Sequence, residues 1–502
     1  MTHVTRKMTG LTMMAVLCAG GLRAQFSADY QVNTVDGVGV NWAGDYIVGS
    51  NTSFNVLNVV NGGALTNVNG YLGFVASSGN HLAMVNGTGS HWYNSAYLHL
   101  GYYGTDSRLI VTNGGKVTVT SPCYVGRHYG ATRNHLQVTG IGSLFNSLST
   151  LAVGQQGPAN QMTVSDGGQV FNASSYGAVG YYSNGNKVLV TGAGSLWKAL
   201  TKLYLGFGIG YCNNQLIITN GGLAVNNDAY IGYDTGTTNN SVLVAGTGSV
   251  WTNGGASVGY RGSYNYLTVT DGGKVISSGS SYVGTFSGAN SNRLVVSGEG
   301  SVFKSDLEMG REGYACQMFV TNGGWATVRY GSVGSSSNGN RVVVSGVNSR
   351  WDYSSLVVGN KGSGNQFEVN NGATVAGPIS PTQYNYVMVG GWAGFTGNVL
   401  KITSGGMLDA NTMIVTNAGN GIVNSGGIYQ FSSATPTLTT NGLEAASPIV
   451  LTNGVISFRS IANAPLGPGT QLTRIAYQGD NGYRLNGATN ASVGNRLADF
   501  SL

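Results

Sequence analysis

The chain has 502 residues, of which 41% are hydrophobic and only 8% are charged, and it contains 82 glycines but only 8 prolines. Soluble proteins usually carry about 25% charged residues, so this composition argues against an ordinary multidomain enzyme, while the apolar fraction excludes a disordered chain. The formal charge of +6 falls to +3 when Arg6, Lys7 and Arg23 leave with the expected leader, and so small a charge gives no support for nucleic-acid binding.

Residues 1–24 have the pattern of a secretory signal peptide. Arg6 and Lys7 directly precede the apolar run "MTGLTMMAVLCAGG", and "LRA" supplies a small-residue cleavage site before Gln25. We therefore expect an exported protein, located outside the cell or on its outer surface. No later stretch is apolar for long enough to span a bilayer, so no transmembrane span is expected in the mature chain.

From about residue 41 the chain repeats itself. An aliphatic residue followed by glycine recurs from Gly49 to Gly390, mostly in steps of 24 to 28 residues, and each unit holds three short runs of alternating apolar residues separated by glycine turns. One such unit cannot bury its apolar face alone, but stacked units form a continuous core. The sequence therefore predicts an all-β fold: a single right-handed parallel β-helix over residues 25–430, with three short strands per coil of about 26 residues and about 15 coils.

An asparagine begins most of these units. Identical amides stacked at the coil spacing can hydrogen-bond to one another along the rod, so we predict a structural asparagine ladder. Ser107 and Cys316 interrupt it, and the residue after each asparagine, His81 and His135 among them, is expected to face water. The predicted ladder residues are Asn55, Asn80, Asn134, Asn160, Asn186, Asn214, Asn240, Asn265, Asn292, Asn340, Asn365, Asn398 and Asn420.

Two kinds of unit alternate. One kind carries "GxGSxW" or a variant of it, and the other carries "NGG" or "DGG" with a smaller apolar residue. The large residues recur in every second unit and are expected to be buried: Trp92, Phe145, Trp197, Trp251, Phe303 and Trp351. The rhythm ends near residue 430. We expect residues 25–40 and the C-terminal segment 431–502 to cover the open ends of the rod, which would otherwise expose unpaired strands.

The phrases "VTGAGSLW", "NQLIITNGG" and "LTVTDGGKV" resemble the repeats shared by type V secretion (autotransporter) passengers and exoproteins anchored by a PEP-CTERM segment. The resemblance covers roughly residues 41 to 430 and implies export, a right-handed parallel β-helix of the pectin-lyase-like kind, and a role at the cell surface or in secreted matrix. It brings no catalytic residues. The chain ends in "NRLADFSL", which does not match the anchoring segments of that family, so the mode of anchoring stays open.

Residues with catalytic or metal-binding potential are sparse. Ser257 lies in "GASVG", which matches a nucleophile elbow, but the repeat alone accounts for it. Glycoside hydrolysis needs two facing carboxylates, and the nearest approach to that is Asp306, Glu308 and Glu312 in "SDLEMGREG". Cys123, Cys212 and Cys316 match neither a disulfide framework nor a zinc site. We predict no catalytic residue, no metal and no cofactor.

Aromatic residues provide a better binding candidate. The residue after the repeated glycine is Tyr181, Phe207, Tyr233 and Tyr260 in successive units, so these rings should form a column. Pointing outward, the column would suit sugar rings; pointing inward, it would be core packing. The leading hypothesis is an exported structural or adhesin-like protein without catalysis, whose partners are polysaccharide or other cell-surface components. The alternative is a carbohydrate-binding or polysaccharide-degrading β-helix.

Overall fold

The computed structural model describes residues 26–377 and 385–431, except 411 and 418, and the backbone of short strands between 437 and 477. The predicted signal peptide, residues 1–24, and most of the predicted C-terminal cap lie outside the described residues. Within these described parts the chain forms strands and turns and no helix.

The strands form three parallel rows along one solenoid. The first row is an 18-stranded sheet, to which each coil contributes the strand that follows its asparagine slot. Its strands are Val32–Asp36, Val56–Val60, Leu82–Asn86, Arg108–Thr112, His135–Thr139, Gln161–Ser165, Lys187–Thr191, Gln215–Thr219, Ser241–Ala245, Tyr266–Thr270, Arg293–Ser297, Gln317–Thr321, Arg341–Ser345, Gln366–Asn370, Val399–Thr403, Gly421–Ser425, Ile449–Thr452 and Ala476–Tyr477.

The second and third rows belong to one 30-stranded sheet. The second row contains Gly39–Asn41, Ala64–Asn67, His91–Asn94, Lys116–Val119, Leu144–Ser147, Gln169–Asn172, Leu196–Ala199, Leu223–Asn226, Val250–Asn253, Thr374–Ala376, Met407–Asp409, Ile428–Phe431 and Val455–Phe458. The third row contains Tyr46–Val48, Gly70–Leu72, Leu98–Leu100, Cys123–Val125, Leu151–Val153, Gly177–Val179, Leu203–Leu205, Asp228–Ile231, Gly255–Val258, Tyr386–Val389, Thr412–Thr416, Thr437–Asn441 and Gln471–Leu472. Four longer strands run through both rows: Lys274–Val283, Val302–Met309, Trp325–Val333 and Arg350–Val358.

Pairing in register places like residues over like residues. In the first row, Val188 pairs with Leu216 and Val190 pairs with Ile218, and all four side chains are buried. Residues between them point outward, which is the alternation expected of a strand with one buried face. The prediction of an all-β parallel β-helix with three short strands per coil is confirmed.

The large aromatic residues of the repeat lie inside the core, as predicted. Trp197 pairs with Val170 on one side and with Ala224 on the other, and Ala224 then pairs with Trp251. Both tryptophans are 1% exposed or less. Large and small side chains therefore alternate from coil to coil, which fills the interior without voids.

The "NGG" turns explain why two kinds of coil alternate. A Cβ atom added at Gly222 would lie 2.4 Å from the carbonyl oxygen of Val190 in the preceding coil, so only glycine fits. Gly221 has a φ of +84° and donates its N–H to the Ser249 hydroxyl of the next coil, 3.0 Å away. Because that serine belongs to a "GxGSxW" coil, each such coil fits onto an "NGG" coil.

The N-terminal end differs from expectation. Residues 25–40 were expected to cover the first coil. Two strands that begin in this segment, Val32–Asp36 and Gly39–Asn41, instead pair with the next strands of the first and second rows and so belong to a coil themselves. Phe26, which precedes them, is completely buried in the core cluster. At the other end, strand pairing continues past residue 430 in all three rows, and the domain boundary predicted there stays a prediction.

Candidate functional site: an external aromatic face

The asparagines of the repeat form a hydrogen-bonded column, which is interrupted between Asn292 and Asn340. The Oδ1 atom of Asn214 accepts the backbone N–H of Asn186 at 3.0 Å and its side-chain Nδ2 at 3.0 Å, and Asn214 makes the same two contacts with Asn240. All three residues are completely buried. Equivalent side-chain or backbone bonds link Asn134, Asn160, Asn186, Asn240, Asn265, Asn292, Asn340, Asn365, Asn398 and Asn420.

Asn80 is not part of this column, and here the sequence-based assignment was wrong by one residue. Asn80 is exposed, with a φ of 58°. The buried slot is filled by His81, whose Nδ1 accepts the backbone N–H of Asn55 at 3.3 Å and whose Nε2 lies 2.7 Å from the Ser78 hydroxyl. Leu82 takes the outward slot instead, because it pairs with Arg108, the partner of His135.

Two further coils lack an amide in the slot, as the sequence indicates. The backbone N–H groups of Ser107 and Cys316 still donate to Asn134 and Asn340, both at 3.0 Å. The Cys316 sulfur lies 3.6 Å from the Ala289 carbonyl oxygen, and burial raises the pKa of the thiol to about 12. It is therefore an inert residue of the core.

A second polar row lies inside the solenoid and was missed by the sequence analysis. Asn67 donates its Nδ2 to the Oδ1 of Asn94 at 2.8 Å and accepts the indole N–H of Trp92 at 2.6 Å. The indole N–H of Trp251 donates likewise to Asn226 at 2.7 Å. The sequence did contain a signal for this row. Asn67 and Asn226 each end the second-row strand that lies one coil before the tryptophan.

The predicted aromatic column lies outside the core. Ring centroids are 4.3 Å apart between Tyr181 and Phe207, 5.2 Å between Phe207 and Tyr233, and 4.8 Å between Tyr233 and Tyr260, with interplanar angles of 6°, 18° and 3°. All four rings are half-buried. Their centroid separations match the spacing of about 4.8 Å between parallel strands, so the coils set the stacking.

A second column runs beside the first, on the outward positions of the third row. Tyr204 and Tyr230 stack at 5.4 Å, and each contacts Tyr233 edge to face at 5.0 and 5.2 Å. Tyr176 stacks on Tyr181 at 5.1 Å, and both rings pack against the cluster that contains the small side chains of Ala152 and Ala178. Burial raises the pKa of Tyr230 to about 12, so its hydroxyl stays protonated at neutral pH.

The same two columns continue toward the N-terminus with histidine and arginine interleaved. His99 stacks between Tyr71 at 5.0 Å and Tyr124 at 5.6 Å, and the Arg127 guanidinium lies 4.4 Å above the Tyr124 ring. Burial lowers the pKa of His99 to about 3, so the ring is neutral. We call the whole surface the aromatic face; it comprises Tyr71, Phe74, His99, Tyr102, Tyr124, Tyr176, Tyr181, Tyr204, Phe207, Tyr230, Tyr233, Tyr260, Tyr282 and Phe286.

The acidic residues singled out in the sequence do not converge. Asp306 forms a salt bridge with Arg329 at 2.9 Å, Glu308 accepts the Ser335 hydroxyl at 2.5 Å, and Glu312 accepts the backbone N–H of Ser287 at 3.0 Å. Asp306 and Glu308 line one shallow hollow of about 290 Å³, whereas Glu312 does not contribute to it. Glu308 also lies 4.0 Å from Arg311. Each carboxylate thus has its own partner.

Two negative findings concern the described residues alone. They contain no group of three or more His, Cys, Asp or Glu side chains placed to hold a metal ion. Across the same parts of the chain, no helix has the length and apolarity needed to cross a membrane.

No family model and no curated protein matches the chain. Among solved structures, the chain is similar to the TibC-catalysed hyper-glycosylated TibA55-350 fragment, with 16% sequence identity and a TM-score of 0.33. The match covers 79% of this chain and 96% of the fragment. At this TM-score the similarity supports no argument about function.

Proposed function

We propose that this chain is an exported, non-enzymatic β-helical rod, an adhesin-like or structural protein of the cell surface or extracellular matrix, and that the aromatic face is its contact surface. One observation carries the proposal: stacked aromatic rings lie outside a core that is already filled. The buried row containing Trp197 and Trp251 belongs to the main core, whereas Tyr181, Phe207 and Tyr233 pack outside it, against a separate cluster of Ala152, Ala178 and Tyr204.

The arrangement of the rings suits adhesion. Aromatic side chains supply large contact areas with polar edges, and they dominate the energetics of many interfaces. Tyr233 is held between Phe207 and Tyr260 at 5.2 and 4.8 Å, so little side-chain freedom remains to be lost on binding. A preorganised surface repeated along a rod also allows many weak contacts to act together.

Cosedimentation of the full chain with bacterial cell envelopes and with insoluble polysaccharides tests the proposal. We expect the wild-type chain to sediment, and the double variant Phe207→Ala/Tyr233→Ala to bind about tenfold more weakly, because two aromatic contacts are lost. Tyr264→Ala is the matched control, since Tyr264 is 54% exposed and stands outside the aromatic face. Equal binding by the double variant and the control would remove the aromatic face from the proposal, and no sedimentation of wild type would refute adhesion.

The same polysaccharides test the alternative that the protein is an enzyme. That alternative is favoured by Asp306 and Glu308, which line one hollow. We expect no release of new chain ends. Release that disappears in both Asp306→Asn and Glu308→Gln would show that the protein is an enzyme.

A further inference from the structure

Between Tyr204 and Tyr282, the outward column of the third row is interrupted at one coil. Tyr230 pairs with Ser257, and Ser257 pairs with Tyr282, so a small hydroxyl stands where both neighbours carry a ring. The missing ring leaves a hollow of about 200 Å³, which Asp228, Tyr260, Thr285 and Arg311 also line. The hollow is thus a notch in the aromatic face, one coil wide.

Polar groups converge on the notch, and one of them is buried without a partner. The Thr285 side chain is 2% exposed, yet its Oγ1 has no hydrogen-bond partner among the described residues. A buried hydroxyl without a partner is uncommon, because its desolvation costs about 1–3 kcal/mol. Asp228 is half-buried and forms no salt bridge within the described part of the chain. The Arg311 guanidinium lies 5.5 Å from the centre of the Tyr282 ring.

These groups match the two sides of a sugar. A pyranose ring has apolar C–H faces, which aromatic rings contact, and a rim of hydroxyls, which a carboxylate, a hydroxyl and a guanidinium can hydrogen-bond. Asp228 and Arg311 bring opposite charges to the same hollow, and Glu308 lies 4.0 Å from Arg311, so the notch offers no net positive charge to an anionic sugar. The chemistry favours a neutral ligand.

We propose that the notch at Ser257 is a binding subsite for one neutral hexose unit of a polysaccharide. This inference rests on the proposed function and identifies the class of ligand for part of the aromatic face. The spacing of about 4.8 Å between coils is close to the length of one unit in an extended sugar chain, so the next units would lie over Tyr233 and Phe207.

Isothermal titration of the full chain with short soluble oligosaccharides of glucose, mannose and galactose tests the inference, with an oligosaccharide of a uronic acid as the anionic comparison. Ser257→Tyr restores the ring that both neighbouring coils carry and fills the notch. Thr252→Tyr adds the same side chain to an exposed second-row position of the same coil and serves as the control. Thr285→Val removes the hydroxyl, and Asp228→Asn replaces the carboxylate by a neutral amide, each at nearly constant volume.

We expect at least one neutral oligosaccharide to bind the wild type and Thr252→Tyr equally, to lose binding in Ser257→Tyr, and to bind Asp228→Asn and Thr285→Val about tenfold more weakly. Thr285→Val should leave the Tm unchanged or raise it, because the hydroxyl has no partner to lose. If Ser257→Tyr fails to fold, the two isosteric variants decide the question.

Three results would overturn the inference. Unchanged affinity in Ser257→Tyr, Asp228→Asn and Thr285→Val would place the sugar elsewhere on the aromatic face and leave the proposed function intact. Stronger binding of the uronic acid oligosaccharide would refute a neutral ligand. If no oligosaccharide binds, the subsite is refuted, while adhesion is still decided by cosedimentation with envelopes.

Discussion

At the scale of single residues, the asparagine column has a direction. Most ladder Oδ1 atoms accept two hydrogens from the coil before them, as Asn365 does from Asn340 at 2.9 and 2.9 Å. A slot residue without an amide therefore removes an acceptor from the asparagine of the preceding coil, whereas its own backbone N–H still donates to the asparagine of the following coil. At Cys316 the backbone N–H still donates forward to Asn340, but the side chain offers no carbonyl oxygen to Asn292 behind it.

This asymmetry predicts that Cys316→Asn stabilises the protein. The new Oδ1 should accept the backbone N–H and the side-chain Nδ2 of Asn292, and the slot has room, because the Cys316 sulfur occupies the place above Gly284 that asparagine occupies in other coils. We expect the free energy of unfolding to rise by about 1–2 kcal/mol in urea titrations. Cys123→Asn, at a buried position outside the ladder, should instead lower it, which separates repair of the ladder from loss of a thiol.

His81 makes the ladder sensitive to acid. Its Nδ1 must remain unprotonated to accept from Asn55, and burial lowers the pKa of His81 to about 4, against about 6.5 in an unfolded chain. The unfolded state therefore binds the proton first, so this contribution is present above pH 6.5 and is lost as the pH falls toward 4. Between pH 6.5 and 5 the loss amounts to about 2 kcal/mol.

The variant His81→Asn should remove that dependence. An asparagine there supplies the ladder acceptor without a titratable group. We expect the difference in unfolding free energy between pH 6.5 and pH 5 to shrink by about 2 kcal/mol relative to wild type, the other histidines contributing equally to both proteins. Equal pH profiles for the two proteins would show that the pKa of His81 is the same in the folded and unfolded chain, and would contradict the prediction.

At the scale of the coil, a serine joins each "GxGSxW" unit to the "NGG" unit before it. Ser195 is completely buried, accepts the backbone N–H of Gly167 at 3.1 Å and donates to the Thr191 carbonyl oxygen at 2.7 Å. Ser195→Ala leaves both backbone groups unpaired and should lower the free energy of unfolding by about 2–3 kcal/mol. Ser241→Ala, on an outward position of the first row, should change it by less than about 0.5 kcal/mol in the same denaturation assay.

Sequence periodicity was enough to predict the coils, the buried tryptophans and most of the amide column, because each follows from a residue type that recurs at one step. The step alone does not resolve an offset of one residue, so Asn80 was chosen where His81 fills the slot. The side on which Tyr233 lies depends on the backbone after a glycine of positive φ, which alternation does not determine. The notch at Ser257 exists only through a side chain that is small relative to its neighbours in space, and that requires the register.

At the scale of the whole molecule, the alternation makes a pair of coils, and not one coil, the unit of the rod. The 18 first-row strands at about 4.8 Å spacing correspond to a length of roughly 80 Å. Strand pairing joins each coil to its immediate neighbours, so stability is close to the sum of coil interfaces. Deleting an even number of coils should therefore leave only interfaces between a "GxGSxW" coil and an "NGG" coil, as in the wild type.

Two deletions test this. Removing residues 186–239 takes out two coils, brings Trp251 next to Val170 and places the Gly167 N–H where it can donate to the Ser249 hydroxyl. We expect a folded rod that is shorter by about 10 Å in X-ray scattering. Removing residues 214–239 takes out one coil and places Trp251 against Trp197. Ala199 then stands in the position from which Asn226 accepts the Trp251 indole N–H in the wild type.

The single deletion should fold poorly, because overpacking two tryptophans costs about 1–3 kcal/mol and the buried Ser249 loses its backbone partner as well. We expect its Tm to lie well below that of the double deletion, although it removes fewer residues. If instead stability simply follows the number of coils that remain, so that the single deletion is the more stable protein, then the alternation of large and small coils contributes nothing to how the rod is built.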